Sequence, residues 1–229
     1  MKITKLPHAC LIIENNASRI VIDPSSFFVF GQDFATPQNV VAVVFTHNHS
    51  DHYDPQNLAK LMEKNPDMQI FASADTAASI AQDLPDISRK VEIAKPSAKI
   101  STENFALEFF GGRHAHIVPG DDKGDNVGVV VNRALVYPGD SFDLPPSESL
   151  DDNFALALPT SGPWLKIGEA MTYLADFAKK AAPPTVVFAT HDGLNNSGSA
   201  AMTLNYLRPI CDELNAKLVD LQVGQKLEI

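Results

Sequence analysis

Six apolar residues in a row, Val40 to Phe45, run directly into Thr46-His47-Asn48-His49-Ser50-Asp51-His52, and three residues further on stands Pro55. An unbroken apolar run of this length, rich in β-branched residues, reads as a strand buried on both faces, so its sheet must be covered on both sides. Pro55 opens a helix over Pro55 to Lys64, because proline at the first helical position forfeits no hydrogen bond, and Asp54 is placed to cap it. Four potential metal ligands therefore share one turn at the end of a buried strand. Imidazole and carboxylate side chains suit zinc and similar divalent ions. His47 and His49 flank Asn48, so an extended segment sends both rings to one face. Asp51 and His52, past the bend, can face a second ion about 3.5–4 Å from the first, the separation of paired catalytic metals.

The rest of the chain supplies the sheets that such a strand needs. Short β-rich segments are predicted at Ile3 to Leu6, Cys10 to Glu14 and Arg19 to Ile22, and a short helix at Thr76 to Gln82. Strands return at Lys99 to Ser101, Ala106 to Phe110, Val127 to Asn132, Leu135 to Tyr137 and Phe154 to Leu158. A helix over Ile167 to Ala181, a strand over Thr185 to Ala189, a helix from about Ser199 to Leu214 and terminal strands near Leu218 and Lys226 complete the pattern. Two β-rich halves, each followed by helices, predict an α/β (α+β) chain. It should form one unit over residues 1–229, a four-layer αββα sandwich of two mixed sheets flanked by helices.

Three further candidate ligands stand at strand ends beside turn residues: His114 after Gly111-Gly112, Asp140 after Pro138-Gly139, and His191 after Thr190. Each alone is a plausible turn or cap residue. Together they recur where side chains can project into a shared cleft, and five of the seven histidines fall in the set.

Composition narrows the chemistry. A formal net charge of −10 with no basic run argues against nucleic acid and anionic membrane surfaces, whose counterions are displaced by clustered Lys and Arg. Only two cysteines are present, Cys10 and Cys211, far apart and in apolar surroundings, which suggests neither a disulfide framework nor a thiolate metal site. The N-terminus is broken by Lys5, Pro7 and His8 before it can form a signal-peptide core, so the expected compartment is the cytoplasm. Neither a phosphate-cradling Gly-Lys-Ser/Thr loop nor a dinucleotide glycine fingerprint occurs, so nucleotide cofactors are not implied.

H-x-H-x-D-H, then a lone His, an Asp after Gly and a C-terminal His, is an order that resembles the metallo-β-lactamase superfamily. Ile22-Asp23-Pro24 is similar to that family's first Asp motif. The stretches around His114, Asn126-Val127-Gly128, Tyr137-Pro138-Gly139-Asp140-Ser141 and Pro163-Trp164-Leu165 resemble a compact bacterial branch close to the ascorbate-6-phosphate lactonase-like hydrolases. The resemblance implies two divalent metal ions, zinc in the first instance with manganese, iron or nickel as alternatives. One is held by His47, His49 and His114, the other by Asp51, His52 and His191, with Asp140 bridging. It implies a bridging hydroxide that attacks a small ester, lactone or phosphodiester, with Asp51 as the catalytic residue that handles its proton. The partner is a small-molecule substrate, an anionic one being compatible with bound metals, and a homo-oligomer is compatible with the sequence. A nuclease, a di-iron oxidoreductase and a non-catalytic metal-binding protein are the competing readings. His49 stands where di-iron members carry Glu, and a set of five histidines with only two carboxylates disfavours iron, which carboxylate-rich sites favour.

Several residues are left around this set. Asp23 is the natural acceptor for an outer ring nitrogen of a ligand histidine. His114 is preferred to His116 as the third-motif ligand, and His116 is read as a loop residue or a substrate contact. His8 is either beside the site or a hydrogen-bonded structural residue. Trp164 is a candidate pocket wall, although a lone Trp next to proline more often packs in a core. The acidic, Gly-rich run Pro119 to Asp125 lacks the ligand register of a calcium loop and is read as a mobile flap.

Overall fold

The computed structural model describes residues 1–118, 124–180 and 182–229. Strands β1 (Lys2–Lys5), β2 (Leu11–Asn15), β3 (Ser18–Ile22), β4 (Val40–Phe45), β5 (Gln69–Ala72) and β6 (Val91–Ile93) form the first sheet in sequence order. The second contains β7 (Lys99–Thr102), β8 (Phe105–Gly111), β9 (Val127–Val131), β10 (Leu135–Tyr137), β11 (Ala155–Pro159), β12 (Val186–Thr190) and β13 (Lys217–Val219). Strand β14 (Lys226–Glu228) returns to the first sheet and pairs antiparallel with β1. The two C-terminal strands are thus divided between the sheets, a departure from the simple two-halves pattern of the sequence.

Both sheets are mixed in the same way. β1 to β3 are antiparallel and β3 to β6 parallel, while β7 to β10 are antiparallel and β10 to β13 parallel. One apolar cluster joins the facing surfaces, with Ile13, Ile20, Val44 and Phe71 from the first sheet and Phe109, Val129, Leu135 and Phe188 from the second. The outer face of the first sheet is covered by α1 (Pro55–Lys64) and α2 (Ala74–Asp83), through Leu58, Leu61 and Ile80. That of the second is covered by α4 (Ile167–Lys180) and α5 (Ser197–Glu213), through Leu174, Phe177, Leu207 and Cys211. The result is the expected four-layer αββα sandwich.

β4 spans the predicted residues and lies in mid-sheet, with five of its six side chains buried, as a doubly covered parallel strand requires. α1 also begins and ends where predicted, and Asp54 accepts a hydrogen bond from the Asn57 amide at its start. Among the described residues four elements went unpredicted: β5, β6, the one-turn helix α3 (Pro85–Ser88) and a single 3₁₀ turn at Ser147–Ser149. β5 has four residues and β6 three, of which two are exposed, so neither carries a readable alternation. The flap expected over Pro119 to Asp125 lies, for positions 119–123, outside the described residues, as does residue 181 at the predicted end of α4.

Candidate metal centre

Because β3, β4, β10, β11 and β12 run in parallel sets, their C-terminal ends meet at one edge of the sandwich, where loops can converge. Asp23 follows β3, His47 follows β4, Asp140 follows β10 and His191 follows β12. The segment after β4 bends immediately: the His52 and Tyr53 amides both donate to the His49 carbonyl, at 2.9 and 2.8 Å, which turns Asp51 and His52 back toward His47. The Asn126 side chain fixes the Pro138 to Asp140 turn. Its Oδ1 accepts from the Asp140 amide at 3.0 Å and its Nδ2 donates to the Pro138 carbonyl at 2.9 Å. Asp23 and His191 both adopt left-handed backbone, φ 47° and 54°, strain that a non-glycine residue carries when its surroundings over-determine it.

The side chains converge in three overlapping groups whose ligand atoms all lie within 4.8 Å of one another: His47, His49 and His114; His47, His52 and Asp140; and His8, Asp51, His52 and His191. Asp140 stands at the centre. Its Oδ2 is 3.1 Å from His191 Nε2, 3.4 Å from His114 Nε2 and 3.9 Å from His47 Nε2, and its Oδ1 is 3.1 Å from His52 Nε2. The ring nitrogens facing inward, Nε2 of His47, His52, His114 and His191, are buried and make no hydrogen bond, as is Asp140 Oδ1. Buried polar atoms without partners are costly, and so many pointing at one space mark a place for an ion.

The outward nitrogens, by contrast, are all engaged. His52 Nδ1 donates to Asp23 Oδ2 at 2.7 Å, His47 Nδ1 to Thr46 Oγ1 at 3.0 Å, His114 Nδ1 to the Ala115 carbonyl and His191 Nδ1 to the Ser161 carbonyl, both at 2.5 Å. In the neutral ring each bond fixes the single proton on Nδ1 and leaves the lone pair on Nε2, the tautomer a metal ligand needs. The Thr46 hydroxyl in turn donates a hydrogen bond to Asp23 Oδ2 at 2.7 Å, so one carboxylate steadies two of these rings.

Burial and charge oppose each other here. Burial disfavours a charged His52, but the carboxylates of Asp140 and Asp23 outweigh it and hold its pKa well above the usual histidine value. For His191 burial is likewise overcome, chiefly by Asp140, and its pKa stands at about 9. Burial and then the neighbouring His52 drive His47 well below the usual value. Burial would raise the Asp140 and Asp51 carboxyls. Asp140 is nevertheless held well below the usual carboxylate range by His52 and His191, and Asp51 by His191 and His8.

In metal-free protein near pH 7, His52 and His191 thus carry protons that balance the carboxylates, and an ion must displace them. Uptake of divalent metal is therefore expected to release about two protons per protein at pH 7, with apparent affinity rising as pH approaches 9. Calorimetric titration with zinc in buffers of different ionisation enthalpy measures this directly, and a heat independent of buffer contradicts it.

Of the remaining predicted residues, Asp23 is fully buried and His8 lies against Asp51 with its Nε2 3.1 Å from Oδ2. Trp164 is mostly buried beside the centre, its ring 5.8 Å from that of His114 and 5.9 Å from that of His191. His116 is exposed and belongs to none of the three groups. Sequence reasoning missed Thr46, Asn126 and Tyr137, whose hydroxyl is 2.9 Å from Asp23 Oδ2. Thr46 at the head of the histidine motif, and the Tyr-Pro-Gly-Asp run, were the available signals.

Comparison with known proteins bears on this arrangement. The family model described as beta-lactamase superfamily domain matches residues 18–191. The chain is 32% identical over 189 residues to Protein Rv0786c of Mycobacterium tuberculosis, covering 80% of this chain and 82% of that one. It is 27% identical over 122 residues to the UPF0173 metal-dependent hydrolase Atu1317 of Agrobacterium fabrum, half of this chain and 48% of the relative. Among solved structures, Igni18, a metallo hydrolase from the hyperthermophilic archaeon Ignicoccus hospitalis, superimposes with a TM-score of 0.72 at 17% identity, covering 100% of this chain and 98% of the other.

Proposed function

The chain belongs to the beta-lactamase superfamily, and from that premise we propose that it is a metal-dependent hydrolase of a small molecule, with a dinuclear zinc centre. The observation that carries the proposal is the convergence of four bare, buried Nε2 atoms and Asp140 on one space, each ring oriented from behind. His47, His49 and His114 would hold one ion, Asp51, His52 and His191 the other, and Asp140 would reach both. Bound divalent metal supplies Lewis acidity, bringing the pKa of water down toward about 7 and balancing the charge of an oxyanion.

The protein's own groups do the rest. Asp51 is the most open carboxylate of the set, its side chain 25% exposed against 2% for Asp140, so it can take the proton of an attacking water while Asp140 stays fixed among the imidazoles. Outer bonds from Thr46, Asp23 and the Ser161 and Ala115 carbonyls keep the rings from turning, so no reorganisation is needed as charge develops. Lactones, esters and phosphodiesters fit such a centre. The charge of −10 favours a small substrate over a nucleic acid, and the two cysteines, both buried and unpaired, suit a reducing compartment such as the cytoplasm. No helix among the described residues is long and apolar enough to cross a membrane.

The test is to incubate zinc-reconstituted and chelator-stripped protein with a small-molecule extract and to compare them by untargeted mass spectrometry. The expected result is a compound consumed by the zinc form alone, with products that add the mass of one water. An extract left unchanged at full zinc occupancy contradicts a small-molecule hydrolase.

A further inference from the structure

We infer that His8 is a positioning residue for Asp51, holding that carboxylate by a hydrogen bond from Nε2, and that its tautomer bars it from coordinating metal. The inference rests on the reading of Asp51, His52 and His191 as a metal half-site. By distance alone His8 is a fourth ligand there, since its ring nitrogen groups with theirs. The bond on its far side decides otherwise. The Gly193 amide donates to His8 Nδ1 at 3.0 Å, which requires a lone pair on Nδ1 and so places the single proton of the neutral ring on Nε2. That proton points at Asp51 Oδ2, 3.1 Å away.

The four rings with bare inward nitrogens have the opposite arrangement. His47, His52, His114 and His191 each donate from Nδ1 and leave Nε2 unpartnered, whereas Nε2 of His8 has its partner. The His8 ring has little freedom to exchange roles: it is buried, stacks on Phe27 at 4.3 Å with a 7° tilt, and lies 3.9 Å from the His191 ring.

Position gives the bond its purpose. Asp51 sits in a partly exposed turn, and its carboxylate needs an outer partner to stay aimed. His8 also fixes the other member of the half-site: its carbonyl accepts from the His191 amide at 3.0 Å, and Lys5, three residues earlier, pairs with Asp192 at 2.5 Å. The segment from Lys5 to His8 therefore ties the Asp51 turn to the His191 loop. It makes no corresponding link to His49 or His114, so the effect is confined to one half-site.

Zinc titrations of the full chain compare wild type with His8→Phe, which keeps an aromatic ring against Phe27, and His8→Gln, which restores a donor at similar reach. His8→Phe is expected to weaken the second zinc equivalent by about 10–100-fold, the usual effect of losing an outer partner, and to leave the first unchanged, with His8→Gln recovering part of the loss. Long-range proton–nitrogen spectra of zinc-loaded wild type are expected to show His8 protonated on Nε2 while the rings of His47, His52, His114 and His191 are protonated on Nδ1. A zinc-shifted Nε2 resonance for His8, or a His8→Phe variant that binds both equivalents like wild type, overturns the inference. If wild type itself binds fewer than two equivalents, the dinuclear reading falls and this inference with it. Should His8→Phe not fold, the wild-type spectrum decides alone.

Discussion

Replacing Asp140 with Asn is expected to remove hydrolytic activity and one of two bound metal equivalents while leaving the fold in place. The side chain is buried, with its two oxygens between 3.1 and 3.9 Å from the Nε2 atoms of four histidines drawn from both half-sites. Asn preserves the volume and the backbone bonds: the Asp140 amide still donates to Asn126 Oδ1, and its carbonyl still accepts from the Ala115 amide at 2.8 Å, which holds the loop of His114. What is lost is a negative charge and one acceptor, replaced by an amide NH2 that faces the same ring nitrogens. The loss of activity should exceed the roughly 10–100-fold typical of an outer-sphere partner, because this group would touch the ions themselves. The variant should also release fewer protons on binding zinc, since His52 and His191 owe their raised pKa values, after the opposing effect of burial, first to Asp140. Metal analysis after gel filtration, together with kcat/KM on whatever compound the extract screen finds, checks both. Two retained equivalents and unchanged turnover would remove Asp140 from the centre.

The second large effect is expected at Asp23, which no ion would touch. Its Oδ1 accepts from the Thr46 amide at 2.8 Å. Its Oδ2 accepts from the Thr46 hydroxyl and His52 Nδ1, each at 2.7 Å, with the Tyr137 hydroxyl 2.9 Å away. Asp23→Ala strands these donors in a sealed interior, and breaking a buried, charge-assisted network of this kind costs about 3–5 kcal/mol, read as a lowered urea midpoint of the metal-free protein. Asp23→Asn is the sharper experiment. If its NH2 group faces His52, it must donate to Nδ1, which drives the ring proton to Nε2 and blocks the nitrogen that would bind metal. An almost isosteric change is thus expected to cost about 10–100-fold or more in affinity for the second equivalent. Unchanged zinc affinity in Asp23→Asn would refute this account of the outer bond.

How much of this could be read in advance depended on how local each signal was. β4 and α1 were legible because a doubly buried strand needs an unbroken apolar run and a helix start needs a cap and tolerates proline, both written in a few adjacent residues. The heptapeptide was legible for the same reason, since the bend that gathers its side chains is internal to it. β5 and β6 were not, because strands this short are defined by their neighbours in the sheet rather than by their own pattern. The roles of Thr46 and Asn126, and the proton on His8, depend on partners 23, 14 and 185 residues away. Trp164, read more readily as core than as pocket wall, packs against Phe142 and also stands beside the rings of His114 and His191, so the two alternatives were not exclusive.

The division of the candidate ligands between the two sheets bears on what an ion would do to the sandwich. His47, His49, Asp51 and His52 come from the first sheet's loops, and His114, Asp140 and His191 from the second's. Neither sheet alone offers a complete triad. An ion in this place would act as a rivet through the sandwich, stabilising by mass action the layered state that binds it. Zinc is therefore expected to slow local opening of the inter-sheet seam packed by Val44, Phe71, Phe109 and Phe188, read as slower amide exchange along β4 and β12.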